Sequence, residues 1–371
     1  MDEPILDVDK GQKKQILIWR IVSLILLIFL ITIVFLYAFG VGWKKKGGYF
    51  ESEITLWNEN SPIQTKLFPY IRSIKDENSK DFIPIEDRIA VFDLDGTLFC
   101  ETDPIYFDWS MFAFRVLNDT DYKDKASEND TKLANDIMAA NIHDLPPDIE
   151  ERHCVRNPAV FENMSMEDYG KYIKNYLDKD APGYNNMKRG DAFYKPMLEV
   201  INYLQKNDFT VYIVSGTDRF EVRKIVEGKI NIPESQIIGS VSTVRASGQG
   251  KYIDGLHYQF QKNDNVILGG EFIIKNVKMN KVNTMTTEIG KKPVLSFGNS
   301  SGDKSMATYV TTNNKYKSLA FQLCCDDEER ENGNVTKAEI MKTLCTQNNW
   351  EPISMKNDWK TIYGDNVSKK K

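Results

Sequence analysis

Short apolar segments alternate with amphipathic segments along most of the chain. The apolar segments are rich in Val, Ile and Phe and are bounded by turn-forming residues, a pattern that predicts buried strands. These segments are residues 89–92, 210–215, 236–239, 293–298 and 318–323. The amphipathic segments that predict helices are residues 196–206, 219–227 and 280–289. Because strands that alternate with helices form parallel βαβ units, the pattern predicts an α/β fold with a doubly wound parallel sheet.

Two stretches depart from this alternation. Residues 102–190 are polar and mostly helical in pattern, and we interpret them as a helical cap inserted over the active end of the sheet. Residues 241–274 alternate apolar and polar positions around Gly and Asp-Gly, which is typical of a β-hairpin. The predicted core therefore comprises residues 89–101 and 191–363, with the hairpin as an excursion within it.

A long apolar segment near the start of the chain is unlike the rest. From Ile21 to Trp43 there is no charged residue, and Ser23 and Thr32 are the interruptions of the apolar run. At about 1.5 Å per residue, a helix of this length crosses a hydrocarbon core of about 30 Å. We therefore predict one transmembrane helix in contact with the lipid bilayer. The chain would begin with residues 1–20 as a tail, 21–43 as the anchor and 44–88 as a juxtamembrane lead-in.

A cleaved signal peptide is the alternative interpretation of this segment, because Ala38-Phe39-Gly40 resembles a small-residue cleavage site. The apolar run is longer than the about 7–15 residues of a typical signal, which favours the uncleaved anchor. Basic residues both precede and follow the run. Its flanking charges therefore do not set the orientation of the helix in the membrane.

Composition narrows the classes of function. The 371 residues carry a net charge of −5, which argues against nucleic acid as a partner. The three histidines lie far apart in the sequence, so a zinc or histidine-phosphatase site is not indicated. Cys324 or Cys325 could pair with Cys345 in an oxidising compartment, and free thiols fit the spacing equally well.

The sequence Asp93-Leu-Asp95-Gly-Thr follows directly after the first predicted strand, and doubly wound sheets bind ligands at the carboxyl ends of their strands. Two carboxylates this close repel each other unless a cation lies beside them. Magnesium is commonly held by one or two carboxylates together with phosphate oxygens. A calcium-binding loop would need more acidic ligands nearby, and the next acid after Asp95 is Glu101. The motif therefore indicates Mg²⁺ and a phosphorylated ligand.

This motif and three later ones resemble, in the same order, the motifs of the haloacid dehalogenase superfamily. They lie at residues 91–98, 213–217, 281–298 and 298–303. The resemblance spans about residues 89–325, and a helical cap between the first two motifs is the arrangement of the phosphoserine-phosphatase-like branch. Residues 82–90 are also similar to exported bacterial members of that branch. This likeness implies a bacterial membrane protein with its catalytic domain outside the cytoplasm.

The resemblance implies a catalytic role for each matching residue. Asp93 corresponds to the nucleophile that forms a phospho-aspartyl intermediate, and Asp95 corresponds to the general acid and base. Ser215, followed by Gly216, corresponds to the phosphate-binding position. Lys281 corresponds to the cation that balances the charges of the phosphate and the nucleophile.

Lys281 has two competitors, Lys275 and Lys278, and is preferred because it begins the helix before the fourth predicted strand. The implied metal ligands are Asp93, Asp95, Asn299 and Asp303. The family commonly has an aspartate where this chain has Asn299, so the direct ligand from this motif could be either Asn299 or Asp303. Residues that could contact the substrate are Glu101, Arg152, Arg156 and Lys195.

The expected function is Mg²⁺-dependent hydrolysis of a small phosphorylated metabolite at a membrane. The alternative is a surface module of the same fold that binds phosphorylated ligands with weak or no turnover. The replacement of the usual aspartate by Asn299 is the feature that keeps this alternative open.

Overall fold

The computed structural model describes residues 8–38 and 50–370. The chain divides into two compact units, Met1–Gly48 and Tyr49–Lys371. The strands are β1 (Ile89–Phe92), β2 (Tyr184–Asn185), β3 (Thr210–Asp218), β4 (Ile237–Ala246), β5 (Val266–Ile274), β6 (Leu295–Gly298), β7 (Leu319–Cys324), β8 (Glu351–Ser354) and β9 (Ser368–Lys369). The helices are α1 (Val8–Ala38), α2 (Phe68–Lys75), α3 (Phe107–Leu117), α4 (Glu128–Ala139), α5 (Ile149–Val160), α6 (Met166–Leu177), α7 (Lys195–Lys206), α8 (Arg219–Val226), α9 (Met279–Thr284), α10 (Lys304–Thr311), α11 (Val335–Asn348) and α12 (Met355–Asp358).

Seven strands form one sheet in the order β5-β4-β3-β1-β6-β7-β8. The pairs from β4 through β8 are parallel, and β5 pairs antiparallel with β4 at one edge. The predicted α/β fold with a doubly wound parallel sheet is therefore confirmed. Strand β8 was missed, because Glu351-Pro-Ile-Ser is short and has little of the apolar pattern of a buried strand.

Aromatic side chains fill the core beneath the central strands. Phe92, Phe297 and Phe321 lie side by side in register on β1, β6 and β7. Their rings stack at centroid distances of 4.3 and 4.9 Å with interplanar angles of 4° and 8°. All three side chains are fully buried. This ladder supports the loops that follow the same strands.

Helices α3 to α6 occupy the stretch between β1 and β3 where the sequence predicts a cap. Strand β4 continues beyond its parallel partner and pairs with β5 across the stretch where a hairpin is predicted. The hairpin contacts the cap, since the Leu268 amide donates to the Met164 carbonyl at 2.9 Å. After β8 the chain returns past the core, and β9 pairs antiparallel with β2 at the end of the cap segment.

One expectation about the periphery is not supported, and one open alternative is decided. Within the described residues no helix is long and apolar enough to cross a membrane. Of the anchor predicted from Ile21 to Trp43, residues 21–38 belong to α1, which is about 27 Å of helix at about 1.5 Å per residue. Residues 39–43 of that anchor lie outside the described residues. All five cysteines are free thiols, so neither pairing with Cys345 is formed.

Candidate active site

The site is built where β1, β3 and β6 end side by side. Asp93 follows β1, and its amide donates to the Phe297 carbonyl on β6 at 2.9 Å. Gly96 then takes a positive φ of 73°, a conformation that glycine adopts without steric cost. The amides of Leu98 and Phe99 both donate to the Leu94 carbonyl, at 2.8 and 3.0 Å. This tight turn keeps Asp93 and Asp95 at the mouth of the sheet.

Lys281 lies between two carboxylates at the centre of the site. Its Nζ is 2.5 Å from Asp93 Oδ1 and 2.6 Å from Asp303 Oδ1, and all three residues are buried. Burial lowers the pKa of Lys281, but the charges of Asp303 and Asp93 outweigh that effect and raise the pKa above its ordinary value. The lysine is therefore a fixed cation.

Asp93 keeps a perturbed carboxyl group despite this partner. Burial raises the pKa of Asp93 well above its ordinary range, the Asp303 charge raises it further, and Lys281 opposes both effects. A buried carboxylate beside a second one is stable when positive charge compensates it. In the cluster of Asp93, Asp303 and Lys281, two carboxylates face one cation, so a further positive charge would stabilise it.

Asp95 has one bonded oxygen and one free oxygen. The Thr217 hydroxyl donates to Asp95 Oδ2 at 2.8 Å, whereas the buried Oδ1 has no hydrogen-bond partner within the described part of the chain. Burial raises the pKa of Asp95, and the bond from Thr217 partly offsets that rise. A positioned carboxyl with a raised pKa and a free oxygen is suited to exchanging a proton with a ligand.

The last residues of β3, after Val214, form the neighbouring wall, where the register with β4 shifts. Ser215 is fully buried, and its hydroxyl accepts the Thr217 amide at 3.0 Å. Gly216 and Thr217 line the cavity above Asp93 and Asp95. The predicted role of Ser215 in binding phosphate stays a prediction, whereas Gly216 directly faces the cavity.

The loop after β6 places Asn299 and Asp303 differently. Besides its contact with Lys281, Asp303 uses Oδ2 to accept the amides of Asn299 and Ser300, each at 3.1 Å, and the Ser300 hydroxyl at 3.2 Å. Both Asp303 oxygens are thus engaged in holding the loop and the lysine. Among the residues that the structure describes, the hydrogen-bond partner of Asn299 Oδ1 is the Thr97 hydroxyl, at a long 3.4 Å.

A segment that the sequence did not single out joins these loops. Asn276, fully buried after β5, donates from Nδ2 to the Ser215 carbonyl at 3.0 Å. Its Oδ1 accepts the Thr284 hydroxyl at 2.8 Å on the helix that carries Lys281. Two residues on, the Lys278 amide donates to the Gly302 carbonyl at 2.8 Å. The sequence signal for this segment was the polar pair Lys275-Asn276 directly after an apolar strand.

Asp93, Asp95, Gly216, Lys281 and Asp303 lie at the floor of a cavity of about 750 Å³ between the core and the cap. From the cap side, Tyr106, Asp108, Trp109, His143 and Glu150 line it. Core residues with charged side chains that line it are Asp93, Asp95, Glu101, Lys275, Lys278, Lys281, Asp303 and Lys337. This volume suits a small organic ligand.

The candidate substrate contacts separate into two groups. Glu101 lines the cavity, and burial together with the Asp95 charge raises the pKa of Glu101 to about 7. Arg152 instead pairs with Asp136 and Asp148, and Arg156 pairs with Asp130 at 2.6 Å. Neither arginine lines the cavity, and Lys195 does not line it either.

The described residues do not form a metal centre built from His, Cys, Asp and Glu side chains alone. In residues 8–38 and 50–370, no group of three or more His, Cys, Asp or Glu side chains is arranged to hold a metal ion. A magnesium ion does not require such a group, since one or two carboxylates with carbonyl, phosphate and water oxygens suffice. The side-chain donors available here are the Asp93 carboxylate and the amide oxygen of Asn299, whose hydrogen bond with Thr97 is long.

Comparisons with known proteins give likenesses of fold. No protein-family model and no curated protein matches the sequence. A functionally unknown protein from Anaerococcus prevotii DSM 20548 aligns over 80% of this chain and 92% of its own, at 13% identity and a TM-score of 0.49. Cytosolic 5′-nucleotidase IIIB bound to cytidine aligns over 79% of this chain and 86% of its own, at 11% identity and a TM-score of 0.44.

A phosphoserine phosphohydrolase-like protein from Francisella tularensis subsp. tularensis SCHU S4 aligns over 64% of this chain and 87% of its own, at 13% identity and a TM-score of 0.34. At identities and TM-scores this low, the likenesses do not establish what this chain binds or catalyses. The four motifs that resemble those of the haloacid dehalogenase superfamily lie at one edge of this sheet.

Proposed function

We propose that this protein is a Mg²⁺-dependent phosphatase that hydrolyses small phosphate monoesters through a phospho-aspartyl intermediate on Asp93. One observation carries the proposal. Lys281 bridges Asp93 and Asp303, at 2.5 and 2.6 Å, beside an Asp95 oxygen that has no partner among the described residues. These groups meet at the floor of a cavity large enough for a small ester.

The first step transfers the phosphoryl group to the protein. An Asp93 oxygen attacks phosphorus, the bond from phosphorus to the ester oxygen breaks, and Asp95 gives a proton to the departing alkoxide. Lys281 and the backbone around Gly216 stabilise the charge on the transferring group. The raised pKa of Asp95, caused by burial, keeps its proton available for the leaving group.

The second step returns the protein to its starting state. Asp95, now ionised, takes a proton from water, the resulting hydroxide attacks phosphorus, and the bond to Asp93 breaks to release phosphate. Splitting the reaction in this way replaces one difficult displacement by two easier ones. The free Asp95 Oδ1 and the bond from Thr217 to its other oxygen favour this alternation.

Magnesium would be held by the Asp93 carboxylate, the Asp95 main-chain carbonyl and the Asn299 amide oxygen. A bound Mg²⁺ neutralises charge on the phosphoryl group and allows an anionic nucleophile to approach it. Asp303 is a less suitable ligand, because Lys281 and the amides of residues 299 and 300 already occupy both of its oxygens.

The alternative is a module that binds phosphorylated ligands without turnover. Asn299 supports it, since an amide binds a cation less strongly than a carboxylate does. The full chain, assayed with para-nitrophenyl phosphate, separates the two functions. We expect turnover with Mg²⁺, none with EDTA, and poor recovery with Ca²⁺, whose flexible coordination misplaces the nucleophile. Full activity in chelator would contradict the metal assignment, and binding of phosphate esters without release of phosphate would favour the module.

The location of the catalytic domain outside the cytoplasm is a separate proposal. It rests on the similarity of residues 82–90 to exported proteins. Protease treatment of intact cells, followed with an antibody to the C-terminal residues, tests it. Digestion is expected, and complete protection while known surface proteins are cut would place the domain in the cytoplasm.

A further inference from the structure

Asn299 has a partner from a distant part of the chain. Its Nδ2 donates to Glu101 Oε1 at 3.0 Å, across 198 positions of sequence. Gly96 makes this contact possible. A Cβ atom at that position would lie 1.9 Å from Asn299 Nδ2 and 2.6 Å from Glu101 Cδ. The turn that carries the nucleophile therefore leaves space for the Asn299–Glu101 pair.

The chemistry of the pair fixes which end of the amide faces the site. Above its pKa of about 7 the Glu101 carboxylate accepts hydrogen bonds and donates none, whereas an amide has a donor end and an acceptor end. Glu101 therefore holds the NH₂ group of Asn299 on its own side. The amide oxygen is left facing Thr97, whose hydroxyl is 3.4 Å away, with lone pairs available to a cation.

The same pair also balances charge. Where the haloacid dehalogenase motif that this loop resembles commonly has an aspartate, this chain has a neutral amide with a carboxylate 3.0 Å behind it. Metal ligands are commonly oriented by such hydrogen-bonded partners, whose loss weakens metal binding by about 10–100-fold. The pair thus supplies one oxygen ligand and one negative charge, from two side chains in place of one.

We propose that Glu101 is a positioning residue that orients the Asn299 amide oxygen toward the cation and supplies the charge that the asparagine lacks. This inference rests on the proposed Mg²⁺ site. It changes the expected effect of restoring the usual aspartate. Asn299→Asp would place two carboxylates in contact, which repel each other, so that substitution weakens Mg²⁺ binding.

The test is a set of Mg²⁺ titrations of the full-length protein, without substrate and at a pH well above the Glu101 pKa of about 7, followed by calorimetry. We expect Glu101→Ala to raise the Kd for Mg²⁺ by about tenfold and Asn299→Asp to raise it as well. The double variant Glu101→Gln with Asn299→Asp should recover wild-type affinity or better, because the glutamine amide then donates to the new carboxylate. Glu151→Gln, an exposed carboxylate on α5, is the matched control and should leave the Kd unchanged.

Several results would overturn the proposal. They are tighter binding by Asn299→Asp alone, an unchanged Kd in Glu101→Ala, a double variant no better than either single one, or no Mg²⁺ binding by the wild type. Thermal unfolding of each variant shows whether it is folded, and the double variant keeps the test valid if Glu101→Ala is not. The Mg²⁺ pattern without hydrolysis of any ester would leave this inference standing and refute the proposed function.

Discussion

Two regions beside the cavity differ in how their buried polar groups are bonded: the core wall, defined as the cluster of Asp93, Asp95, Asn276, Lys281 and Asp303, and the cap wall, defined as helix α5. On the core wall, Lys281, Asp303 and Asn276 each have at least two partners within 3.2 Å. On the cap helix α5, the two ring nitrogens of His153 and Oδ1 of Asn157 have no hydrogen-bond partner among the described residues.

Each unsatisfied buried group costs about 1–3 kcal/mol. Because the polar groups of the core wall are bonded to one another, the reacting groups are held in place before a ligand arrives. Electrostatic stabilisation of a transition state needs such fixed groups. The unbonded atoms of His153 and Asn157 on the cap wall, by contrast, lower the stability of the fold. The unbonded Oδ1 of Asp95 is the exception on the core wall, and it is the atom proposed to exchange the proton.

The largest expected effect comes from the core wall. Asp93→Asn keeps the shape of the side chain and removes the attacking charge, so kcat should fall at least about a thousandfold, or about 4 kcal/mol. The measurement is phosphate release from a monoester with saturating Mg²⁺. Asp121→Asn, at an exposed residue that does not line the cavity, is the control. Activity of the Asp93 variant within tenfold of the wild type would exclude the covalent mechanism.

A smaller effect is expected from the bonds that hold the wall together. Asn276→Ala removes the donor to the Ser215 carbonyl and the acceptor of the Thr284 hydroxyl. Lys281 and Ser215 then lose their connection, and we expect kcat to fall by about 10–100-fold, or about 1.4–2.7 kcal/mol, with little change in KM.

Thr284→Val, which leaves the Asn276 oxygen without its donor, should show a weaker form of the same loss, and Thr284→Ser should not. Asn283→Ala, an exposed position on the same helix, is the matched control. A change in KM alone would mean that Asn276 acts on substrate binding and not on the geometry of the reacting groups.

Sequence patterns anticipate the core wall better than the cap. The signal for strand β1 and the residues after it is local in sequence, since an apolar run, two aspartates and a glycine lie within eight positions of one another. Parallel packing then dictates that Asp93, Gly216 and Asn299 meet at one edge, because the ends of parallel strands lie together.

What sequence did not provide is contact between distant segments. Glu101 and Asn299 are 198 positions apart, and Asn276 reaches Ser215 over 61 positions. No periodicity records such pairs. The same limit explains Arg152 and Arg156, which were candidates by charge but pair with acids of the cap helices and their flanking turns. It also explains β8, whose four residues gain their order from pairing with β7.

The smallest expected effect concerns the cap wall and the stability of the fold. His153 is buried, 1% exposed, between Trp109 and Phe112 at ring-centroid distances of 5.3 and 5.5 Å. His153→Phe keeps an aromatic ring and removes two unbonded nitrogens. We expect the free energy of unfolding to rise by about 1–2 kcal/mol at pH 7, with turnover within about twofold of wild type. His257→Phe, exposed in the hairpin, should change neither quantity.

The pH dependence sharpens this last prediction. Burial, with Lys275 adding to it, lowers the pKa of His153 well below its ordinary value of 6.5. Burial also raises the pKa of Asp108 to about 7, so below that pH this carboxyl, 3.9 Å away, is largely neutral and does not act as a counter-ion. As pH falls below about 6.5, the unfolded chain binds a proton at His153 that the folded protein excludes, so the contribution of His153 to wild-type stability falls by up to about 1.4 kcal/mol per pH unit. The phenylalanine variant lacks this loss, so its advantage in urea unfolding should grow between pH 7 and pH 5. An advantage that is constant or shrinks over that range would show that His153 is protonated in the folded cap and that its wall is bonded after all.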